Sequence, residues 1–297
     1  MTETEFAAWQ TRAQAHTEAV LAQLLPPDTD TPQRLHQAMR YSALDGGKRL
    51  RPLLALAAAE LGTAEPAALD YALAAVECIH VYSLVHDDMP EMDNDSLRRG
   101  KPTCHVAYDT ATALLVGDAL QTLAFDVLSR PTALPSARQL RMVHTLAQAS
   151  GSLGMAGGQA IDLAHVGLPM NQSELEQMHR LKTGALIRCA TALGALACAD
   201  IGDDRLARLD TYAAKLGLAF QVIDDVLDCE QDTATLGKTA GKDAEADKPT
   251  YVRLLGLDAA RSYAETLVAE AQAALDIFDR RADALRHLAA FVTARKH

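Results

Sequence analysis

An all-α fold, one bundle of about ten main helices, is what this sequence predicts. Three observations predict it. Alanine is abundant while aromatic residues make up only 4% of the chain, a balance that suits close helix packing better than sheets, which draw on β-branched and aromatic side chains. Helix start and stop signals recur along almost the whole length. No alternating apolar–polar run competes with them.

Taken in order, helices are expected over roughly 4–25, 33–44, 50–61, 66–89, 104–129, 136–157, 173–198, 203–230, 258–276 and 281–294. Pro26-Pro27 ends the first. Thr31-Pro32 reads as an N-cap with proline at the first helical position. Ser136-x-x-Gln139 and Ser173-x-x-Glu176 read as capping boxes. Pro131 and Pro135 bracket one loop, and Gly167-Leu168-Pro169 marks another. The polar stretch Asp232–Lys248 reads as a further loop. No Gly/Ser-rich linker divides the chain and 49% of its 297 residues are apolar, so one domain spanning 1–297 with a sizeable core is expected.

The formal net charge of −11 argues against nucleic acid and anionic membrane as partners. Five cysteines without a CxxC pair read as reduced thiols of a cytoplasmic protein. The opening MTETEFAAWQ lacks a basic-then-apolar signal pattern. No uninterrupted apolar run of about 18 residues is present, so no membrane span is expected.

Two carboxylate clusters stand out. His80-Val-Tyr-Ser-Leu-Val-His-Asp87-Asp88-Met-Pro90-Glu-Met-Asp93 begins on an apolar helix. Bare carboxylates at the end of a buried helix are costly unless a cation neutralises them. Six residues of regular helix would turn Asp93 away from Asp87, but Pro90 can end the helix and let the chain fold Asp93 back. In Gln221-Val-Ile-Asp224-Asp225-Val-Leu-Asp228 the helical spacing alone puts the polar residues on one face. Carboxylate oxygens without histidine or cysteine select a hard ion such as magnesium, which keeps waters and shares itself with phosphate. Two clusters therefore point to a phosphorylated ligand between them. The plainer alternative, solvated acidic helix ends, weakens once the cations are counted.

Those cations fall in short segments. Gly46-Gly47-Lys48-Arg49-Leu50-Arg51-Pro52 combines a flexible approach with charges that balance phosphate. Leu97-Arg98-Arg99-Gly100-Lys101 follows the first cluster directly, and adjacent arginines can point to different sides; pairing with Asp93 or Asp95 is the alternative for one of them. Lys182-Thr183 lies on an apolar helix, and Lys238 and Lys248 lie on the polar loop; each lysine taken singly could be an ordinary surface residue. His80 shares the face of Asp87, or is a core histidine. Gln159 and Asp162 either face the same cavity or form a separate polar patch.

The motifs GGKRLRP, HxxSLVHDDxxxMDxDxLRRGKPT, GGQxxDL, KTGxL, FQVIDDVLD and LGKTxGKDxxxDKPTY together resemble the trans-prenyl diphosphate synthase family, and the DDxxxxD spacing resembles its bacterial farnesyl branch. The order and spacing agree from about residue 40 to the end. Val252 departs from the proline common in the family.

The resemblance implies an isoprenoid synthase helix bundle around a central cavity, usually a homodimer, that condenses isopentenyl diphosphate with an allylic diphosphate. It implies that Asp87 and Asp93 hold two magnesium ions and Asp224 a third, with Asp88, Asp225 and Asp228 behind them. Arg98, Lys182, Gln221, Lys238 and Lys248 match allylic-site positions; Lys48, Arg51, His80 and Arg99 match the isopentenyl diphosphate site. Gln221 and Thr183 oxygens could face the developing carbocation, and the released diphosphate takes the proton. Tyr82 and Ser83 lie about 6–7.5 Å down the helix from Asp87. Tyr82 resembles the residue that closes the cavity floor, pointing to a C15 product, unless it packs sideways between helices. A synthase of another chain length, a class I terpene cyclase and a non-catalytic subunit are the alternatives.

Overall fold

A computed structural model describes residues 1–44, 46–230 and 249–294. Lys238, Lys248 and the whole of the expected Asp232–Lys248 loop lie outside the described residues. The fold is all-α, as expected. Its helices are α1 (Glu3–Leu24), α2 (Gln33–Ala43), α3 (Leu50–Ala59), α4 (Pro66–Asp87), α5 (Cys104–Ala107), α6 (Thr110–Ser129), α7 (Ser136–Ser150), α8 (Met155–Ala164), α9 (Gln172–His179), α10 (Ala185–Leu196), α11 (Asp203–Glu230), α12 (Tyr251–Leu255), α13 (Leu257–Ala274) and α14 (Asp283–Ala294). A π-helical turn, Arg180–Gly184, joins α9 to α10, and a 3₁₀ turn precedes α14.

The helices share one apolar core that runs from Phe6 to Val292. α4 lies along α6 and α3. α10 crosses α3, α7 and α11, and α11 lies along α13. α4 and α6 are long and apolar enough by length and composition to cross a bilayer, though polar residues such as Glu77 and Asp118 interrupt both; 67% of the most apolar window of α4 is buried inside the protein, where α4 and α6 pack together.

The expected boundaries err where local chemistry overrides periodicity. The 104–129 helix is two helices, because Asp109 caps α6 by accepting the Thr112 N–H at 2.7 Å. The 136–157 helix ends at Ser150, and the glycine pair of the GGQ motif sits on the separate α8. Neither expected capping box forms. α7 starts without a side-chain cap, and the Gln139 amide instead donates to the carbonyls of Leu128 and Arg130. α9 is capped two residues earlier, by a reciprocal Asn171–Glu174 box. Thr31 does not cap α2, whose N-terminus falls at Pro32 with no side-chain bond. A two-stranded hairpin, β1 (Leu97–Arg98) with β2 (Lys101–Pro102), was not foreseen; strands of two residues carry no periodicity to read.

Candidate active site

The first carboxylate cluster is made by the way α4 stops. The helix ends at Asp87, and the turn through Pro90 brings the Asp93 N–H to the Asp87 carbonyl at 2.8 Å and the Asp95 N–H to the Asp88 carbonyl at 3.1 Å. The expected return of Asp93 is therefore present in the backbone. Asp87 and Asp88 then part. Asp88 is buried and clasped by Arg98, whose Nε and Nη2 donate to both carboxylate oxygens at 2.6–2.9 Å. Burial pushes the Asp87 carboxyl up to about 6; nearby Lys182 opposes this, while Asp93 adds to it. An acid held in that state is relieved by a cation.

Arg98 owes its position to the hairpin. Its turn residues, Arg99 and Gly100, both have positive φ, 54° and 75°, as a tight turn matched to strand twist requires. The adjacent arginines diverge: Arg98 goes to Asp88, and Arg99 lies over Gly46-Gly47. A Cβ on Gly47, whose φ is +90°, would come within 2.5 Å of the Arg99 guanidinium carbon.

The GGKRLRP segment divides its cations in a way the sequence reading did not anticipate. Arg49 is 3% exposed and faces inward. It donates to Glu18 and Glu77 at 2.7 Å each and to the Ala43 carbonyl at 2.6 Å. It is therefore not available to balance a phosphate. Arg51 is half-buried, its Nε has no partner among the described residues, and burial lowers its pKa to about 10. His80 is held neutral, well below the usual histidine range, by burial and then by Arg51, Arg99, Arg98 and Arg49. Lys48 is exposed, with its carbonyl accepting from the Gln14 amide at 3.1 Å.

The opposite wall comes from α8, the π turn and α11. Lys182 and Thr183 sit on the wide turn, a local geometry that is frequent at functional sites. Lys182 Nζ donates to Asp162 at 2.6 Å, and Thr183 Oγ1 donates to the Gln221 carbonyl oxygen at 2.9 Å. Asp162 thus belongs with Lys182. Asp224 and Asp228 are half-buried, but Asp225 is buried and accepts the Tyr251 N–H at 2.7 Å. The regular face expected for the second cluster is consequently split, with Asp225 anchoring α12. Tyr251 in turn stacks on buried His179, ring centroids 5.6 Å apart. Charge reaches across as well: Lys182 favours the ionised form of Asp87, and Asp224 favours the charged form of Arg51.

The contact between α8 and the π turn is close enough to test. A Cβ on Gly158 would come within 2.1 Å of the Lys182 backbone nitrogen, and backbone cannot yield as a flexible side chain can. Gly158→Ala is expected to destabilise the protein by about 2–3 kcal/mol and, by moving Lys182, to cut turnover about tenfold or more. Thermal melting and initial rates check both.

Tyr82 is 8% exposed, meets His86 edge-on at 5.8 Å and lies near Gln121 on α6. Ser83 donates to the His80 carbonyl at 2.8 Å. The phenol thus lies where α4 faces α6.

Among the described residues no three carboxylate, histidine or cysteine side chains form a ready-made metal cage. The donor set still fits magnesium: it is all carboxylate, and half-buried Asp87 carries a desolvation penalty that Lys182 offsets only in part. Such sites are completed by water and phosphate oxygens.

A family model described as polyprenyl synthetase matches residues 32–282. The chain is 52% identical to the farnesyl diphosphate synthase of Escherichia coli (strain K12) over 242 residues, 80% of this chain and 81% of that protein. It superposes on an FPP/GFPP synthase from Zymomonas mobilis with a TM-score of 0.89 at 42% identity, covering 98% and 100% of the two chains. A Helicobacter pylori geranyltransferase solved with magnesium and isoprenyl diphosphate matches with a TM-score of 0.83 at 34% identity, covering 96% and 98%.

Proposed function

This chain belongs to the polyprenyl synthetase family, and on that premise we propose that it is a prenyltransferase making farnesyl diphosphate. Isopentenyl diphosphate condenses with dimethylallyl and then geranyl diphosphate. The observation that carries this reading is two separate groups of cations: Lys182 and Arg98 around Asp87, and Arg51 and Arg99 around neutral His80 near the glycine turn.

Asp87, Asp93 and Asp224 would hold magnesium. When bound, three ions would neutralise the diphosphate and favour ionisation of the allylic ester. The protein's own groups do the rest. Lys182, steadied by Asp162, and Arg98, steadied by Asp88, receive the charge that departs as the allylic C–O bond breaks. Lys238 and Lys248 are assigned to the same diphosphate. Thr183 fixes the Gln221 amide, and the second lone pair of its carbonyl faces developing positive charge. Lys48, Arg51, His80 and Arg99 hold the second diphosphate. Its double bond then attacks the allylic carbon, one C–C bond forms, and the released diphosphate takes the lost proton. The apolar walls exclude water that would capture the cation.

The C15 length is assigned to Tyr82, with Ser83 beside it. Tyr82→Ala is expected to shift the product toward C20 and longer; radio-chromatography showing unchanged length would reject that role. A single domain over 1–297 is supported by the span of the family match. A homodimer is supported by exposed Leu114 and Leu115 on α6 and Leu140 on α7. A cytoplasmic setting is supported by five free cysteines. Incubation of the purified chain with isopentenyl and dimethylallyl diphosphates and magnesium tests the whole proposal: C15 product is expected, and no turnover would overturn it.

A further inference from the structure

We propose that Glu77 is a positioning residue that aims Arg51 and Arg99 at the second diphosphate; the proposal rests on the functional reading above. Glu77 is 1% exposed on an otherwise apolar stretch of α4. A carboxylate there is tolerated only with strong compensation. Its Oε1 accepts from Arg49 at 2.7 Å, while its Oε2 is buried without a hydrogen-bond partner among the described residues. The neighbouring Arg51 Nε is buried without one as well.

The charges around Glu77 explain why an acid is kept there. Arg49 spends its guanidinium on Glu18, Glu77 and the Ala43 carbonyl. Arg51 and Arg99 make no comparable buried ion pair among the described residues; Arg99 disfavours charge on Arg51, and Arg49 and Arg98 disfavour it on Arg99. For both, Glu77 is the largest favourable charge. His80, one turn further along α4, lies in the same field. Two arginines aimed at one spot before an anion arrives repel each other. Glu77 beneath them holds that arrangement together in the unliganded protein, so the diphosphate meets a formed site. A residue serving only to neutralise Arg49 would support the fold without setting the affinity for one substrate in particular.

Glu77→Gln keeps the shape and removes the charge. Initial rates with isopentenyl diphosphate varied at saturating geranyl diphosphate, and the converse, separate the two sites. Calorimetry with isopentenyl diphosphate alone reads binding without turnover. The KM and Kd for isopentenyl diphosphate are expected to rise about 10–100-fold, with the KM for geranyl diphosphate within about twofold. If Glu77→Gln folds poorly because Arg49 is left unpaired, the Arg49→Gln/Glu77→Gln double variant removes both buried charges, and the same selective rise is expected. An unchanged KM and Kd for isopentenyl diphosphate, a parallel rise for both substrates, or a fall in kcat alone overturns the proposal. Wild-type protein that neither binds nor uses isopentenyl diphosphate overturns the functional reading itself.

Discussion

Asp87→Asn is expected to lower kcat/KM by about 10³-fold or more while making the metal-free protein more stable. The two effects share one cause. Burial raises the Asp87 carboxyl to about 6. In the folded chain the acid therefore holds its proton more tightly than in the unfolded chain. Stability falls as pH rises from the unfolded carboxylate range through about 6, and the full cost is present at neutral pH. Asparagine carries no such cost. A gain of roughly 1–3 kcal/mol is expected at pH 7.5 in chelator, shrinking toward zero near pH 4. Lys182 and Asp93 modulate the shift from opposite directions, which sets the range. Calorimetric melting across pH, beside steady-state rates with magnesium, checks the pair. An inactive variant that is also less stable at neutral pH would show that Asp87 supports the fold and would remove the argument that it is strained for function.

The parts of this site that were legible in the sequence are those set by local chain geometry. Pro90 foretells the end of α4 and the return of Asp93, because a proline stops a helix wherever it falls. The spacing of Gln221, Asp224 and Asp228 follows from a regular helix. The family motifs identify Lys182 and Arg99. What was not legible depends on partners distant in the chain. Arg49 and Arg51 look alike in GGKRLRP, yet only Arg49 meets Glu18 and Glu77, 31 and 28 residues away. Asp225 shares its helix turn with Asp224 but turns to the Tyr251 amide. The π turn at Lys182 has no composition of its own; it forms where Gly158 lets α8 press against the backbone. Glu77 did carry a signal, a lone acid inside an apolar helix, and the charge rule for buried groups would have flagged it. Ser136 and Ser173 fit the capping pattern and do not cap, because Gln139 and Glu176 have better partners, Glu176 accepting from Tyr263 at 2.7 Å.

Arg98→Leu is expected to destabilise the protein by about 3–5 kcal/mol, a larger loss than any surface ion pair would produce. Asp88 is the reason. Its side chain is 4% exposed and Arg98 supplies a bidentate partner, so removing the guanidinium strands a buried carboxylate. Arg98 itself is 34% exposed at the side chain and can be hydrated when its partner is removed. The two single variants should therefore be unequal: Asp88→Asn milder, Arg98→Leu severe. Combining them removes both charges, and the double variant is expected to regain about 2 kcal/mol or more over Arg98→Leu, a coupling far outside additivity. Activity should not return with stability. Arg98 is assigned to the allylic diphosphate, so both variants lacking it should keep a geranyl diphosphate KM raised about tenfold or more. Denaturant melts and rates on the four proteins of the cycle decide the matter. Additive stabilities would mean that Arg98 is not what compensates the buried Asp88 charge, and recovery of KM in the double variant would mean that Arg98 acts only through Asp88.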